Sequence, residues 1–411
     1  MNLITAAVPF FLLAIALEII WGYQRGHNTY RLNDAFSSLM LGILSQARRF
    51  IVLGVGGWAY HTVTELTMAP LWSTDHWLTW VVAFVLYDVC YYWLHRLGHE
   101  RQILWAAHVA HHQSEDYNLS TALRQTSSGF LLGWVFYIPM YWVGIPAEVI
   151  VTVGALNLIY QFWVHTQHVP ALGWFEWLFV SPSNHRVHHA QNDAYLDRNY
   201  GGVFIIWDRL FGTYQRELPH EPCIYGLRGP IASFNPLLGL THVYRNMVND
   251  IRLTRRWPDR LRVLVARTGW QPDEARRLAP RDQQDIAEFS LYNPVVSAWI
   301  KVNAGLQLLA ATVMLAYGVF HPLAPMGYWL WWLLLLWTGV ATAAWLDSKP
   351  LRYCLFLDIP RLLLLLMVFS YAELIATPWQ AAGLFWMALT VCLLFGSYWT
   401  RSSLGSTAAV K

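Results

Sequence analysis

The fold of this chain is decided by residues 77–112, WLTWVVAFVLYDVCYYWLHRLGHERQILWAAHVAHH. The first part, residues 77–94, is apolar over nearly the length that a helix needs to cross a bilayer, roughly 20 residues. The second part, residues 95–112, contains five of the 16 histidines of the chain. The sequence therefore predicts a membrane-spanning helix that leads directly into a histidine-rich segment.

The composition of the whole chain is that of an integral membrane protein. Of the 411 residues, 56% are hydrophobic and 13% are charged, about half the charged share of a soluble domain. The 24 Trp and 21 Tyr suit the two lipid–water boundaries, where amphipathic rings collect. The net charge of +3 gives no indication of nucleic acid. We therefore expect the lipid bilayer and a membrane lipid as partners, with no nucleic acid.

Apolar segments predict about nine transmembrane helices in an all-α, polytopic fold. Eight segments are good candidates: 5–23, 77–94, 127–145, 147–164, 296–320, 326–346, 360–378 and 380–399. A ninth, weaker one lies within 36–68, where Arg48 and Arg49 are costly at mid-bilayer. The N-terminal segment lacks the basic region and the cleavage site of a signal peptide, so we interpret it as a retained span.

The distribution of Lys and Arg predicts the orientation, because these residues accumulate in short cytoplasmic loops. Lys or Arg occurs in the connections 23–35, 95–126 and 347–359, and neither occurs in 61–76, 144–146 or 321–327. The polar stretch 165–293 then forms a cytoplasmic, histidine-rich helical cap, in a bacterial inner membrane or the endoplasmic reticulum. We expect four parts: N-terminal membrane helices (1–74), a core with the histidines (75–230), an Arg-rich cytoplasmic connector (231–293) and C-terminal membrane helices (294–411).

The spacing of the histidines predicts metal ligands. Residues three and four apart share one face of a helix, so each short motif presents two or three imidazoles together. One HxxxH motif and two HxxHH motifs supply eight of them: His95, His99, His108, His111, His112, His185, His188 and His189. Eight imidazoles are too many for one zinc ion and suit two metals, each with a position left free for chemistry.

Other polar residues near these motifs are candidates for the same site. His165 ends the span 147–164 at the same boundary and is a further possible ligand, whereas His168 is equally explained as a solvent-facing residue. Asp88 lies inside a span, where a carboxylate suggests function, and it is placed to orient a ligand histidine, although a structural pairing would also explain it. Glu100 follows His99 and is a candidate ligand, outer acceptor or proton-transfer group. Six histidines have no helical partner and are interpreted as ordinary boundary or loop residues: His27, His61, His76, His220, His242 and His321.

The type of metal is left open by the nitrogen ligands, which are compatible with zinc, copper or iron. The zinc-protease motif HExxH is absent, because Arg101, Gln102 and Ile103 follow Glu100. A multi-metal centre at the edge of a bilayer is placed to receive a lipid chain from the membrane and small reagents from the cytosol. The hard step on an alkyl chain is C–H activation, which favours iron with oxygen, and hydrolysis by zinc is the rival.

The motifs HRLGH, HVAHH and HRVHH resemble the three histidine boxes of the membrane-bound fatty acid hydroxylase and sterol desaturase superfamily. Longer runs carry a more specific likeness to the branch of that superfamily that cleaves ether lipids: DVCYYWLHRLGHE (88–100), HHQSEDYNLSTALRQ (111–125), LIYQFWVHT (158–166) and PSNHRVHHAQNDAYLDRNYGGVFIIWDRLFGTY (182–214). The resemblance covers about 75–230. It implies two Fe ions held by the eight box histidines, with Glu100 at the acidic position after the first box and His165 at a further histidine of the pattern.

The resemblance also implies a function. The expected reaction is O2-dependent hydroxylation next to the ether oxygen of an alkylglycerol, with tetrahydrobiopterin or a related tetrahydropterin as reductant. A fatty acyl or sterol hydroxylase or desaturase with a redox partner protein is the alternative. A metal transporter is a remote one, because a transporter places its ligands through the depth of several spans. Asp208, in the run IIWDRLFGTY, is interpreted as structural.

Overall fold

The computed structural model describes residues 3–48, 55–67, 70–125, 128–281, 283–321, 325–370 and 377–408. Within these ranges the regular structure is helical, with three isolated β-bridges and no strand, so the all-α prediction is confirmed. The α-helices are α1 (Leu3–Gln24), α2 (Leu32–Arg48), α3 (Val55–Thr67), α4 (Trp77–Glu100), α5 (Gln102–His112), α6 (Leu119–Ala122), α7 (Ile138–Trp142), α8 (Ala147–Trp163), α9 (Pro182–His189), α10 (Ile206–Leu210), α11 (Pro236–Leu253), α12 (Trp257–Val265), α13 (Asp273–Leu278), α14 (Ala298–Phe320), α15 (Pro325–Leu346), α16 (Leu351–Ser370) and α17 (Thr377–Ala408). Short 3-10 helices cover Gly129–Leu131, Gly133–Tyr137, Gly173–Trp177 and Ile286–Glu288.

Five helices of the described chain are long and apolar enough to cross a membrane: Leu3–Gln24, Trp77–Glu100, Ala298–Phe320, Met326–Leu346 and Trp379–Tyr398. The helix Ala147–Trp163 is apolar but shorter. These segments make the chain a multi-pass membrane protein. The count of nine spans, the cytoplasmic cap and the four-part division stay predictions.

Three of the expected spans have a different local form. Residues 129–142 fold as two 3-10 helices followed by α7, where Pro139 sits in the first turn and lacks the N–H that a continuous helix would use. Helix α16 begins at Leu351, nine residues before the expected segment, and the added residues, LRYCLFLDI, are mostly apolar. Helices α2 and α3 cover parts of the weak segment, and residues 49–54, with Arg49, lie outside the described residues.

The described chain divides into two compact units. The first unit comprises residues 1–30, 52–231 and 240–290 and contains every histidine of the three motifs. In it, α4 packs against α5 and α8, and α1 packs against α6 and α8. A buried apolar cluster that includes Ala83, Met140, Val149 and Val153 fills the space around α4.

The second unit comprises residues 31–51, 232–239 and 291–411. Its core is built by α2 and α14 to α17, with Met40, Leu335 and Trp345 almost fully buried. A buried ion pair lies inside it, since Arg361 donates to Asp358 at 2.6 Å. Gln307 accepts from the same guanidinium at 2.9 Å, so the pair is also hydrogen bonded, as a buried charge requires.

Candidate metal centre

The corner between α4 and α5 brings the first two histidine motifs together. Arg101 has an extended backbone, with φ −127° and ψ 127°, so α4 ends at Glu100 and α5 starts one residue later in a new direction. Because His95 and His99 lie one turn apart on α4, both face the side of α5 that carries His108. The Nε2 atoms of His95 and His108 lie 3.2 Å apart.

The third motif sits on α9, a short helix with a well-formed start. Ser181 accepts from the backbone of Asn184, the side chain of Asn184 accepts from the backbone of Ser181, and Pro182 occupies the first turn. These contacts fix the helix that carries His185, His188 and His189. All three of its histidines are buried.

The nine candidate histidines form two groups, within each of which the ligand atoms all lie within 4.8 Å of one another. The first group comprises His95, His99, His108, His112 and His188, and the second comprises His111, His165, His185 and His189. Each group draws on more than one helix, so the fold rather than local sequence assembles it. Neither group contains a carboxylate or a thiolate from the described residues.

Backbone carbonyls fix the tautomers of four of these rings. The Nδ1 atoms of His95, His111, His165 and His188 lie 2.8–3.0 Å from the carbonyl oxygens of Tyr200, Arg124, Gln161 and Arg198, respectively. A carbonyl oxygen only accepts, so each Nδ1 carries the proton and donates it. In a neutral ring the Nε2 atom is then an unprotonated donor for a metal, which is how second-ring hydrogen bonds prepare histidine ligands.

The electrostatics of the site fit two cations. His111 and His165 both carry their proton on Nδ1, yet their Nε2 atoms lie 3.3 Å apart with no hydrogen to share. The Nε2 atoms of His99 and His188 are buried and lack a hydrogen-bond partner in the described structure. Burial lowers the pKa of His111 to about 4, which keeps the ring neutral at physiological pH. Converging neutral nitrogen lone pairs in a buried site are the donor set of a metal centre.

A loop held by two buried aspartates supplies the carbonyl for His95. Asp208 accepts from the backbone N–H groups of Tyr200 and Gly201 at 2.7 and 2.8 Å, and from Thr213 Oγ1 at 2.7 Å. Burial raises the pKa of Asp208 to about 6. The three donors oppose that effect by stabilising the carboxylate. Asp208 therefore acts as a positioning residue for the carbonyl of Tyr200.

Asp88 anchors the other end of this loop. Its carboxylate accepts from the backbone of Val203 at 2.9 Å and of Phe204 at 3.0 Å, and from the Trp207 indole at 2.9 Å. Asn157 on α8 donates to it at 2.6 Å. The hydrogen bond to a ligand histidine that the sequence suggested is not among its contacts, because the Tyr200 carbonyl accepts from His95 instead.

Gly202 shows how closely the loop approaches α4. A Cβ atom there would lie 2.9 Å from Asp88 Oδ1, 2.8 Å from the ring of Tyr91 and 3.0 Å from Asn157 Oδ1. Only glycine fits such an approach without displacing a neighbour. The run NYGGVFIIWD therefore supports the first histidine group. In the sequence analysis only Asp208 of this run was interpreted, as a structural residue.

Glu100 and His168 lie outside both histidine groups. Glu100 accepts from Arg96 Nε at 2.9 Å, an ion pair with both side chains about a quarter exposed. The ring of His168 contacts that of His27, with centroids 5.5 Å apart. Of the remaining histidines, His242 lies 3.3 Å from the amide of Gln113, and none joins a group within the described ranges.

Sequence reasoning did not identify the residues whose backbone carbonyls hold histidines of the two groups. Arg124 is buried, offers its carbonyl to His111 and ties its guanidinium to the carbonyl of Ala110 at 2.6 Å. The backbone carbonyls of Tyr200 and Arg198 accept from His95 and His188 in the same way. The only signal for them was their place in the long runs around the second and third motifs.

Comparison with known proteins identifies the part of the chain that contains this centre. Residues 80–213 match the model of the Fatty acid hydroxylase family, and this range includes all nine histidines of the two groups. The chain carries a fatty acid hydroxylase domain. Loop 198–208, with both of its aspartate anchors, also lies inside the hydroxylase domain.

Three curated relatives extend the likeness beyond the hydroxylase domain. The chain is 38% identical to alkylglycerol monooxygenase of Homo sapiens over 271 residues, which cover 66% of this chain and 60% of that protein. It is 36% identical to that of Xenopus tropicalis over 302 residues (72% and 66%) and 40% identical to that of Danio rerio over 240 residues (56% and 51%). The aligned part thus spans less than two thirds of each relative. The search of solved structures found no match.

Proposed function

We propose that this protein is a membrane-bound di-iron monooxygenase that cleaves the ether bond of alkylglycerols. The observation that carries the proposal is the pair of all-nitrogen histidine groups at the end of a membrane-crossing helix. The similarity to alkylglycerol monooxygenases over 271 and 302 residues of the chain supports the choice of substrate. Iron fits a site of imidazoles that performs redox chemistry with oxygen.

Each residue of the centre has a defined task in this proposal. His95, His99, His108, His112 and His188 would hold one iron, and His111, His165, His185 and His189 would hold the other. The metal pair would supply the reductive activation of O2. The carbonyls of Tyr200, Arg124, Gln161 and Arg198 hold the Nδ1 protons, so the Nε2 atoms stay unprotonated.

The overall reaction balances with one external two-electron donor. One oxygen atom enters the C–H bond of the carbon next to the ether oxygen, and the other leaves as water with two protons and two electrons. The resulting hemiacetal breaks its C–O bond to give a fatty aldehyde and glycerol. A tetrahydropterin is proposed as the donor, because the chain resembles the ether-lipid-cleaving branch of the family.

The surroundings of the centre suit an oxygen-dependent reaction on a lipid. The rings of Trp105 and Tyr200 contact His99, with centroids 5.1 and 5.3 Å away, and Tyr117 covers His165 at 5.7 Å. These rings limit the access of water to the ligands. We further propose that the centre faces the cytoplasm and that Glu100, at the rim, handles protons; its partial exposure supports contact with solvent.

The test is an assay of the purified protein, reconstituted with iron in lipid nanodiscs, for fatty aldehyde formed from an alkylglycerol. We expect aldehyde only when O2 and tetrahydrobiopterin are both present. An iron-replete, reduced protein that forms no aldehyde would contradict the proposal. Hydroxylated or desaturated product from an acyl lipid or a sterol, dependent on a redox protein, would favour the alternative substrate class.

A further inference from the structure

Helix α12 turns an apolar face to the outside of the first unit. Trp257, Leu261 and Val265 are 64%, 54% and 61% exposed, and Leu264 is exposed as well. At about 100° per residue these four positions fall within one arc of about 100°. Val263, on another side of the helix, is fully buried against the cluster of Ala106 and Met247 on the protein side.

Basic side chains border this apolar arc. On the helical wheel Arg260 lies on one side of it and Arg262 on the other. The guanidinium of Arg260 lies 5.7 Å from the Trp257 ring. Residues 251–268 contain six arginines and one aspartate. An apolar face of Trp and Leu between basic residues is the pattern of a helix that lies in the membrane interface.

Backbone hydrogen bonds place the C-terminal end of α12 beside the end of a membrane-crossing helix. The N–H of Gln102 donates to the carbonyl of Ala266 at 3.1 Å, and the N–H of Thr268 donates to that of Glu100 at 3.2 Å. Arg101 Nη1 donates to the carbonyl of Val265 at 3.2 Å. The length and composition of α4 fit a membrane span that ends at Glu100, so the neighbouring α12 is expected at the lipid–water boundary.

We propose that α12 is an interfacial anchor that inserts its apolar arc into the headgroup region of an anionic lipid leaflet. The excess of arginines beside the arc gives the charge complementarity, and the lipid-facing α4 supplies continuity with the bilayer. Helix α12 packs against α5, which carries His108, His111 and His112. The lipid contact thereby supports one of the helices of the metal centre.

The experiment places a nitroxide spin label on α12 in the full-length protein in nanodiscs. The label is attached to Leu261→Cys in a Cys392→Ser background, because Cys392 is exposed. The same background without the new cysteine gives the signal of Cys223, and Asp193→Cys, at a side chain that is 87% exposed, is the water-accessible reference. Collision rates with O2 and with a water-soluble nickel chelate are measured in phosphatidylcholine discs and in discs that also contain phosphatidylglycerol.

If α12 is such an anchor, the ratio of oxygen to nickel collisions is several-fold higher at position 261 than at position 193. The ratio at 261 is expected to be highest in discs that contain phosphatidylglycerol. Equal ratios at the two positions in anionic discs would overturn the proposal. Protection of position 261 from both reagents would also overturn it, because protein and not lipid would then cover the face. Such protection would be the outcome for a second copy of the chain.

Charge variants test the anionic partner separately. Arg260→Gln together with Arg262→Gln should abolish the difference between the two lipid compositions. Arg276→Gln together with Arg277→Gln on α13 removes the same net charge and should keep that difference. If both double variants lose the difference between the lipid compositions equally, the effect comes from the net charge of the protein. That result would contradict a specific role of α12.

Discussion

The Nε2 atoms of His111 and His165 lie 3.3 Å apart although each ring donates its only proton, on Nδ1, to a backbone carbonyl. Two unprotonated nitrogens at this distance repel each other unless a cation lies between their lone pairs. This contact connects His165, just after the end of α8, with His111 on α5. It gives the proposed metal of the second group a physical basis that does not depend on any relative.

Removing one ligand should remove metal. His111→Ala deletes a nitrogen of the second group and the Nδ1 contact to the Arg124 carbonyl, so we expect loss of bound iron and of turnover together. His321→Ala, at a residue outside both groups, should leave both near normal. The measurement is iron per chain by mass spectrometry beside the aldehyde assay. Full iron content in His111→Ala would show that the ligand assignment is wrong.

Asp208→Asn tests the support of His95. The amide keeps one acceptor but presents an NH2 group toward a backbone N–H, so the Tyr200 carbonyl should shift. Changes of this kind typically lower metal affinity or activity about 10- to 100-fold. Asp193→Asn, on an exposed side chain, is the control. Iron affinity from competition with a chelator is the readout, and an unchanged affinity would contradict the positioning role.

Gly202→Ala should destabilise the first unit. The new methyl group would meet Asp88, Asn157 and the ring of Tyr91 within 3.0 Å, and overpacking of this kind costs about 1–3 kcal/mol. Gly57→Ala in α3 is the matched control, because nothing lies within 4 Å of its Cβ position. Thermal unfolding of both variants in detergent measures the effect. Equal unfolding temperatures would contradict the close approach of the loop to α4.

The metal-free protein should lose stability as the pH falls. Burial lowers the pKa of His111 from its ordinary 6.5 to about 4, and it lowers the pKa of His108, His112, His165, His185, His188 and His189 in the same direction. Between pH about 6.5 and about 4 the unfolded chain binds protons that the folded chain does not. The free energy of unfolding therefore decreases as the pH is lowered.

The measurement is the unfolding temperature of chelator-treated protein across that window. We expect a steady decrease from pH about 6.5 to about 4 and a smaller one for the iron-loaded protein, in which the metal competes with protons for the same nitrogens. An unfolding temperature that stays constant on acidification would mean that the histidines are not held neutral by burial.

The sequence predicted the members of the two groups better than their support. The spacing of His95 and His99, or of His185 and His189, determines which side chains share a helical face, and a helix transmits that pattern directly into space. His165 was recognised because its span ends at the same boundary. The arrangement of the histidines in groups of five and four was not predictable, since it depends on the angle between α4 and α5 and on the placement of α9.

The outer contacts left little trace in the sequence for a physical reason. A carbonyl acceptor is the same atom in every residue, so the identities of Tyr200, Arg198 and Arg124 give no indication of this role. Asp88 was recognised as unusual because a carboxylate in a span is costly. Its partners in the loop after Gly202 are about 115 residues away, and the sequence gives no measure of that contact. The apolar residues 127–145 were also ambiguous, because composition alone does not distinguish one helix from several short ones.

The most direct test of the central claim is the metal content of the purified protein, combined with iron Mössbauer spectroscopy. Two histidine groups predict two irons per chain, with spectra of nitrogen-ligated, non-haem iron that change on reduction and exposure to O2. Stoichiometric zinc in place of iron, or a single metal per chain after full loading, would contradict the di-iron centre.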